Sequence, residues 1–450
     1  MRMKKAEITV FLALLLSVIL SLIMALYKNA GIGAMELNAG LSMDEALNSC
    51  FSEYSRELFR RYDLLFIDTS YREGEGDISR LEEHLGAYLS ENIGEKGGSD
   101  LFGLSLGEVK IERYLLGSDE EGGVMMDQAV AYMNRYGEMR YRSGIEEAMG
   151  EISFQNDSGV SFFREWDDCL AEVFEGEDVY LLPRRIREQS ADSFPLLLHG
   201  TAGILYRLNY TDVPSRRRIN AGSCPANLYN AAEDLPVFSE YLMQKLGCYT
   251  ESVGEQALSC ELEYLLFGED SDKENLIRVT DRLMSEREEM NLRLIMNSPD
   301  MYGEAEELSE RLIPESEGRD RSVCVKALIY AWAWAESFIE VNRLLCGGRC
   351  GFRASRSGFI LPLEELESFS DYLGSGGGNG LTYKEYLGIM LNEGSLRDSK
   401  RRFMDIVEMD MKKLENGNFV IDGLVGYIEA KGRFLSRQGY ERIMRRTYAY

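Results

Sequence analysis

Ile8 to Tyr27 reads ITVFLALLLSVILSLIMALY, twenty residues without a charge and with only Thr9, Ser17 and Ser21 as polar interruptions. At about 1.5 Å per residue, a helix of that length covers the roughly 30 Å hydrocarbon core of a bilayer. This run constrains everything after it, because the rest of the chain must fold with one end held in lipid. Arg2, Lys4 and Lys5 precede it against Glu7, while Lys28 alone follows closely. The positive-inside bias therefore places residues 1–7 in the cytoplasm and the bulk of the chain outside, as a single-pass protein of the cell membrane. A cleaved secretory signal is the competing reading, with Gly31, Gly33 and Ala34 as small residues near a cut. The apolar run exceeds the usual stretch of about 7–15, and Ile32 sits badly at the third place before a cut after Ala34, so a retained anchor is expected. Its residues include Ile8, Phe11, Leu15, Ile19, Leu22 and Tyr27. The run has no Gly-x-x-x-Gly pattern, so helix association within the bilayer is expected to be weak.

At 45% apolar and 28% charged residues over 450 positions, the chain can bury a full core. Asp and Glu number 76 against 50 Lys and Arg, a net charge of -26, which disfavours nucleic acid as a partner. Two histidines, His84 and His199, are too few for the usual His-based triads and zinc sites. No catalytic residue, metal ligand set or cofactor motif is nominated, and the protein is read as non-enzymatic. The eight cysteines are residues 50, 169, 224, 248, 260, 324, 346 and 350. Outside the cytoplasm disulfides are permitted, and Cys346-Gly-Gly-Arg-Cys350 is the best local pair; buried free thiols or a metal pair are the alternatives.

The expected fold class is α+β, predominantly helical, with an anchor at 8–27, a membrane-proximal helix and strand at 28–75, and an extracytoplasmic domain over 76–450. Gly31, Gly33 and Gly40 are expected to loosen the chain before an amphipathic helix over Met43 to Tyr62. The run Leu64 to Ile67 reads as a buried strand or extended segment. Helices over Ile78 to Asn92 and Met125 to Tyr141 follow, separated by turns at Gly97-Gly98 and at Gly117 to Gly123. Gly144 to Cys248, with Pro183, Pro195, Pro214 and Pro225, is expected to be mixed. Glu261 to Gly268 reads as a short helix or extended segment, and Ser271-x-x-Glu274 is a capping box for a helix to about Met296. Ser322 to Leu345 is apolar, but Lys326, Glu336, Glu340 and Arg343 make it a core helix rather than a second span. Gly374 to Gly380 reads as a plain flexible linker before the Thr382-x-x-Glu385 cap, since no apolar strand precedes it and no Gly-Lys-Ser/Thr ends it. Asn418 to Ile428 and the basic, aromatic end from Arg433 to Tyr450 suggest a terminal β-unit.

Asp68-x-Ser70 after an apolar run is similar to the metal-ion-dependent adhesion motif, with Arg72 in place of its second serine. A divalent cation near Asp68 would make the chain an adhesin or ligand-binding ectodomain, the alternative function. The acids from Glu269 to Glu274 are explained by the helix macrodipole without calcium. His199, between Leu198 and Gly200, has no nucleophile placed to use it.

Several segments together resemble a known group. Lys5 to Leu14, Glu53 to Leu58 and Tyr62 to Asp68 are similar to the N-terminal part of an uncharacterised bacterial domain-of-unknown-function family found with Tad (Flp-type) pilus and secretion genes. The likeness continues in Glu263 to Gly268, Glu274-Asn275-Leu276, Arg287-Glu288-x-x-Asn291-Leu292, Ala331 to Ser337 and Leu381 to Leu387. The resemblance implies a TadE/TadG-like anchor and a role as an accessory or minor pseudopilin-like component, with membrane lipid and Tad-like apparatus proteins as partners. Cutting after Ala6 would put Phe11 where pilin-type signals have a Glu. A fixed accessory anchor is therefore expected rather than a filament subunit.

Overall fold

The computed structural model describes residues 2–74, 76–94, 103–141, 144–145, 193–201, 235–312, 321–374, 376–437 and 439–450. Cys169, Cys224, the Gly97-Gly98 turn, Pro183, Pro214 and Pro225 lie outside the described residues. The described chain is mostly helical with a few antiparallel strands. It falls into two compact units, the described parts of 1–128 and 411–450 and those of 129–214 and 233–410.

The first unit is built on α1 (Arg2–Phe51), one unbroken helix of 50 residues, about 75 Å long. Residues 8–30 are exposed throughout, and burial then returns every fourth residue at Gly31, Met35, Ala39, Met43, Leu47 and Phe51. One helix thus has two environments. The interruption expected at Gly31, Gly33 and Gly40 does not occur, although glycine costs about 1 kcal/mol relative to alanine in a helix. Packing overrides that preference at Gly40, where a Cβ would stand 3.0 Å from Arg446 Nη2 and 3.4 Å from Met444 Cε. The break falls instead at residues 52–55, so the helix expected over Met43 to Tyr62 is two helices. Ser55 caps α2 (Arg56–Tyr62), its Oγ accepting from Leu58 N at 3.3 Å, while its own N–H donates to Phe66 O at 2.9 Å.

The sheet has four antiparallel strands, β1 (Ile67–Asp68), β2 (Ser105–Leu116), β3 (Leu424–Leu435) and β4 (Glu441–Ala449). β3 is central, paired with β2 on one side and with β4 and β1 on the other. Ile428, Ala430 and Phe434 alternate along its buried face, packing with Met43, Leu47 and Phe51 of α1 and with Leu81, Leu85 and Leu89 of α3 (Ile78–Gly94). The other face is charged: Glu112 pairs with Lys431 at 3.2 Å and Arg445 at 3.0 Å, and Arg433 with Glu441 at 2.7 Å. A sheet covered on one side and wet on the other is the ordinary antiparallel solution. The segment between the helices expected at 78–92 and 125–141 is thus the long strand β2, followed by α4 (Asp119–Tyr136), which opens on a left-handed turn at Glu120, Glu121 and Gly122.

In the second unit α5 (Leu235–Lys245), α6 (Glu261–Phe267), α7 (Asp272–Asn297), α8 (Pro299–Leu312), α9 (Arg321–Leu345), α10 (Tyr383–Glu393) and α11 (Leu396–Leu414) surround a core centred on the α7/α9 pair. α9 buries Trp332 completely, its Nε1 donating to Leu361 O at 2.8 Å, so it is the core helix its charges implied. Ser271 and Thr382 cap α7 and α10 as their spacing predicts.

The acid-rich composition has a structural use here. Buried carboxylates accept the amides of irregular loops that helix and sheet ladders leave open. Glu261 accepts from Gly247 N at 2.7 Å, Glu263 from Tyr249 N at 2.8 Å, Asp272 from Ser259 N at 2.9 Å and Asp410 from Ala257 N at 2.7 Å. Glu336 takes Ile360 N and Leu361 N at 2.9 and 2.8 Å. Burial pushes Glu263 and Glu336 up from 4.5 to about 7, with the charge of Asp272 adding to the first and that of Glu340 to the second. The sign follows from linkage. Between pH 4.5 and 7 the folded chain holds protons that the unfolded chain has released, so this contribution is complete below 4.5 and is lost as pH rises through 7. Each group is worth on the order of 3 kcal/mol across that window. Melting temperature should therefore fall from pH 5 to pH 8, and Glu263→Gln with Glu336→Gln should flatten the slope in calorimetry. A slope unchanged in the double variant would show that other acids set it.

Candidate functional site

Ile8, Phe11, Leu15, Ile19, Leu22 and Tyr27 lie on the exposed half of α1, each between 44% and 65% exposed. This apolar helix is long enough to cross a membrane, with a mean hydropathy of 2.8 over its best window and none of that window buried. So continuous an exposed apolar surface is compatible with a membrane anchor. The core helix α9 passes the same length test but is 72% buried over its window, which gives it a partner other than lipid.

Directly after that run, the C-terminal segment is laid along α1. Lys28 stands over the Tyr440 ring at 5.2 Å, Arg442 Nε meets Glu36 at 3.2 Å and Arg446 Nε meets Asp44 at 2.9 Å. Tyr448 donates to Asn48 Oδ1 and Tyr450 to Phe51 O, each at 2.6 Å. The lengths explain the match: 23 helical steps from Lys28 to Phe51 advance about 35 Å, and ten extended steps from Tyr440 to Tyr450 about 34 Å. Alternate residues of the strand therefore keep pace with one face of the helix. Surface ion pairs contribute little each, so the seam fixes register while the apolar contacts beneath supply most of the stabilisation. Residues 28–51 and 440–450 are thereby held together in one layer.

The other sequence-nominated residues are dispersed. Asp68 Oδ1 accepts from Ser70 N at 2.9 Å and Oδ2 from Ser70 Oγ at 2.7 Å, while Arg72 Nη2 reaches Glu415 at 3.1 Å. The Asp68 carboxylate thus shapes a turn, and burial raises its pKa. Among the described residues no three His, Cys, Asp or Glu side chains gather as a metal ion would require. Cys346 and Cys350 are free thiols in the structure: Cys346 Sγ donates to His199 O at 3.5 Å and Cys350 Sγ to Glu340 O at 3.4 Å. Burial pushes the Cys350 thiol up to about 12, which makes it unreactive. His199 contributes its backbone carbonyl, which also accepts from Asn342 Nδ2 at 2.9 Å. His84 stacks on Tyr71 at 4.0 Å, with Nδ1 at 3.1 Å from Glu53 Oε2, and Tyr71 donates to that same oxygen at 3.0 Å.

The glycine-rich segment is not the plain linker expected. Gly374, Gly377, Gly378 and Gly380 all take positive φ, and the loop is tied down through Gly374 N to Asn342 Oδ1 at 2.8 Å and Arg349 N to Gly377 O at 2.7 Å. Glycines there serve conformation and close approach, not slack. Sequence reasoning also missed the buried pair in which Arg287 donates from Nε and Nη2 to Glu340 at 2.9 and 2.6 Å. The 53-residue separation hid it, and only the expectation that α7 and α9 pack together could have suggested it.

The model of the family of unknown function DUF5702 matches residues 204–436, just over half of the chain. The chain belongs to that family. The match includes the resembling segments at 263–268, 274–276, 287–292, 331–337 and 381–387, whereas those at 5–14 and 53–68 precede it. A search of curated proteins and a search of solved structures each return no match.

Proposed function

We propose that this chain is a non-enzymatic, single-pass membrane protein, N-terminus inside and bulk outside, acting as an accessory or minor pseudopilin-like component of a Tad-like pilus or secretion apparatus. The continuity of α1 carries this reading. The helix that supplies the lipid-length apolar run also forms the spine of the first unit, with no loop between the two roles. A flexible tether suffices to display a domain, whereas an unbroken helix passes force and orientation from the bilayer to the folded part. The seam with β4 supports the same reading, because it stiffens the spine where it leaves the bilayer. Leu37 and Leu41 remain 64% and 45% exposed on that stretch and offer apolar contact to a neighbouring subunit.

A photo-crosslinking side chain at Leu37 or Leu41, in cells that make the pilus, is expected to yield adducts with pilin or platform subunits. Recovery of no such adduct, with the protein present in the membrane, would count against the assembly role.

A further inference from the structure

We propose that the turn between β3 and β4 rests on the lipid headgroups of the bilayer that α1 crosses, with Lys28, Arg437 and Tyr440 as the contacting side chains, and so fixes the tilt of the first unit. The proposal deepens the anchored reading and rests on it. Its basis is where the apolar run stops relative to the sheet. The run ends at Tyr27, and the next residue, Lys28, stands over the Tyr440 ring at 5.2 Å. Arg442 meets Glu36 nine helical steps beyond Tyr27, about 14 Å out. Two extended steps from Arg442 back to Tyr440 return about 7 Å toward the bilayer, and the turn continues in that direction. Its tip therefore lies within the headgroup layer, about 5–8 Å deep on each side of the hydrocarbon.

The turn is preformed. Leu435 pairs with Glu441 and Ser105 with Leu435, so the start of β2, the end of β3 and the start of β4 reach the same level. Ser436 N donates to Tyr440 O and Gly439 N to Ser436 O, each at 2.9 Å, with Gly439 at a φ of +80°. Arg437 N donates to Gly103 O at 3.2 Å, which ties the tip to the residues leading into β2 while Arg437 itself stays exposed. A contact with lipid thus requires no further ordering of the backbone.

The residue types suit that depth. Tyrosine collects at membrane–water interfaces, where its ring meets the acyl boundary and its hydroxyl meets water, and long basic side chains reach the phosphates. Tyr27, Lys28, Arg437 and Tyr440 bring both types to one level. The charge is informative because the chain as a whole carries -26, which an anionic surface repels. Glu441, in the next row outward, is paired with Arg433 at 2.7 Å and so does not cancel these cations. Aromatic rings set among cations at headgroup level favour lipid over protein as the occupant. The hairpin also lies to one side of the helix axis. An off-axis contact selects one tilt direction from those that the apolar length alone permits.

The test is tryptophan quenching in the full-length chain reconstituted into vesicles of phosphatidylglycerol and phosphatidylcholine, the latter brominated at the top or at the middle of its acyl chains, with the unsubstituted chain as background. Val18→Trp reports the anchor, Tyr440→Trp the turn, and Thr447→Trp the outer sheet, seven extended steps or about 24 Å beyond Tyr440. Quenching at 18 by the mid-chain bromines and at 440 by the upper ones, with none at 447, is expected. In the Tyr440→Trp chain, Arg437→Glu should lower the ratio of docked to undocked molecules by about fivefold or more, the factor that one cation near an anionic surface contributes. Should Tyr440→Trp fail to fold, Arg437→Trp, at an exposed position, reports the same level. Quenching at 18 without quenching at 440 would leave the anchor intact and overturn the headgroup contact, leaving the turn to a protein partner. Equal quenching at 440 and 447 would mean a sheet lying flat on the bilayer and would overturn it as well. A ratio unchanged by Arg437→Glu would overturn the role of that cation, and no quenching at 18 would remove the anchor and the contact together.

Discussion

Replacing Leu15 and Ile19 together with arginine will remove the protein from the membrane fraction. The two residues lie four apart on one face, near the middle of the exposed apolar half of α1, at 46% and 44% exposure. Each mid-span arginine costs about 2.5–3.5 kcal/mol on insertion scales, so the pair costs about 5–7 kcal/mol. That is a factor of more than 10³ in partitioning at about 1.4 kcal/mol per decade. Neither side chain touches the core of the first unit, which begins at Met35, so the folded part should survive. Fractionation of cells making the variant is expected to show loss from membranes, while Leu15→Val with Ile19→Val should leave localisation unchanged. Retention of the arginine variant would mean that something other than this helix holds the protein.

The second large effect concerns stability. Arg287 is 1% exposed and its partner Glu340 is 6% exposed, with Asn291 Nδ2 donating to Glu340 Oε2 at 2.8 Å. Removing the acid alone strands a buried cation, so Glu340→Ala should destabilise the second unit by about 3–5 kcal/mol. Replacing both partners with apolar residues of similar size, Arg287→Met and Glu340→Leu, should cost much less. Denaturant melts of the single and double variants give the comparison. A double variant as unstable as Glu340→Ala would place the stabilisation in the contacts of Arg287 with Gly351 and Phe352, not in the charge pair.

Local signals in the sequence were the legible ones. The caps at Ser271 and Thr382 need only a hydroxyl and a glutamate three residues on, and both form as their spacing implies. Charges on α9 distinguished a core helix from a span because a buried helix can pair or cap its acids, as Glu336 does with two amides. β2 was illegible for a physical reason. Its register shifts at Leu106/Glu108, Ile111/Arg113 and Leu115/Leu116 break the two-residue alternation that marks a strand. β4 docks one face on α1 through arginines and tyrosines and so lacks an apolar stripe. The glycines of α1 read as breakers because propensity is local, whereas the strand that packs on Gly40 comes some 400 residues later.

Whether the helix is retained is tested most directly by the mature N-terminus of protein extracted from membranes. Alkaline washing strips proteins held by charge but leaves an inserted helix in place, so the pellet after washing is the material to sequence by mass spectrometry. A chain beginning at or before Glu7, resistant to the wash, is expected. A chain beginning near Met35 and found in the soluble fraction would show that the apolar half of α1 is removed, and would contradict an anchor continuous with the fold.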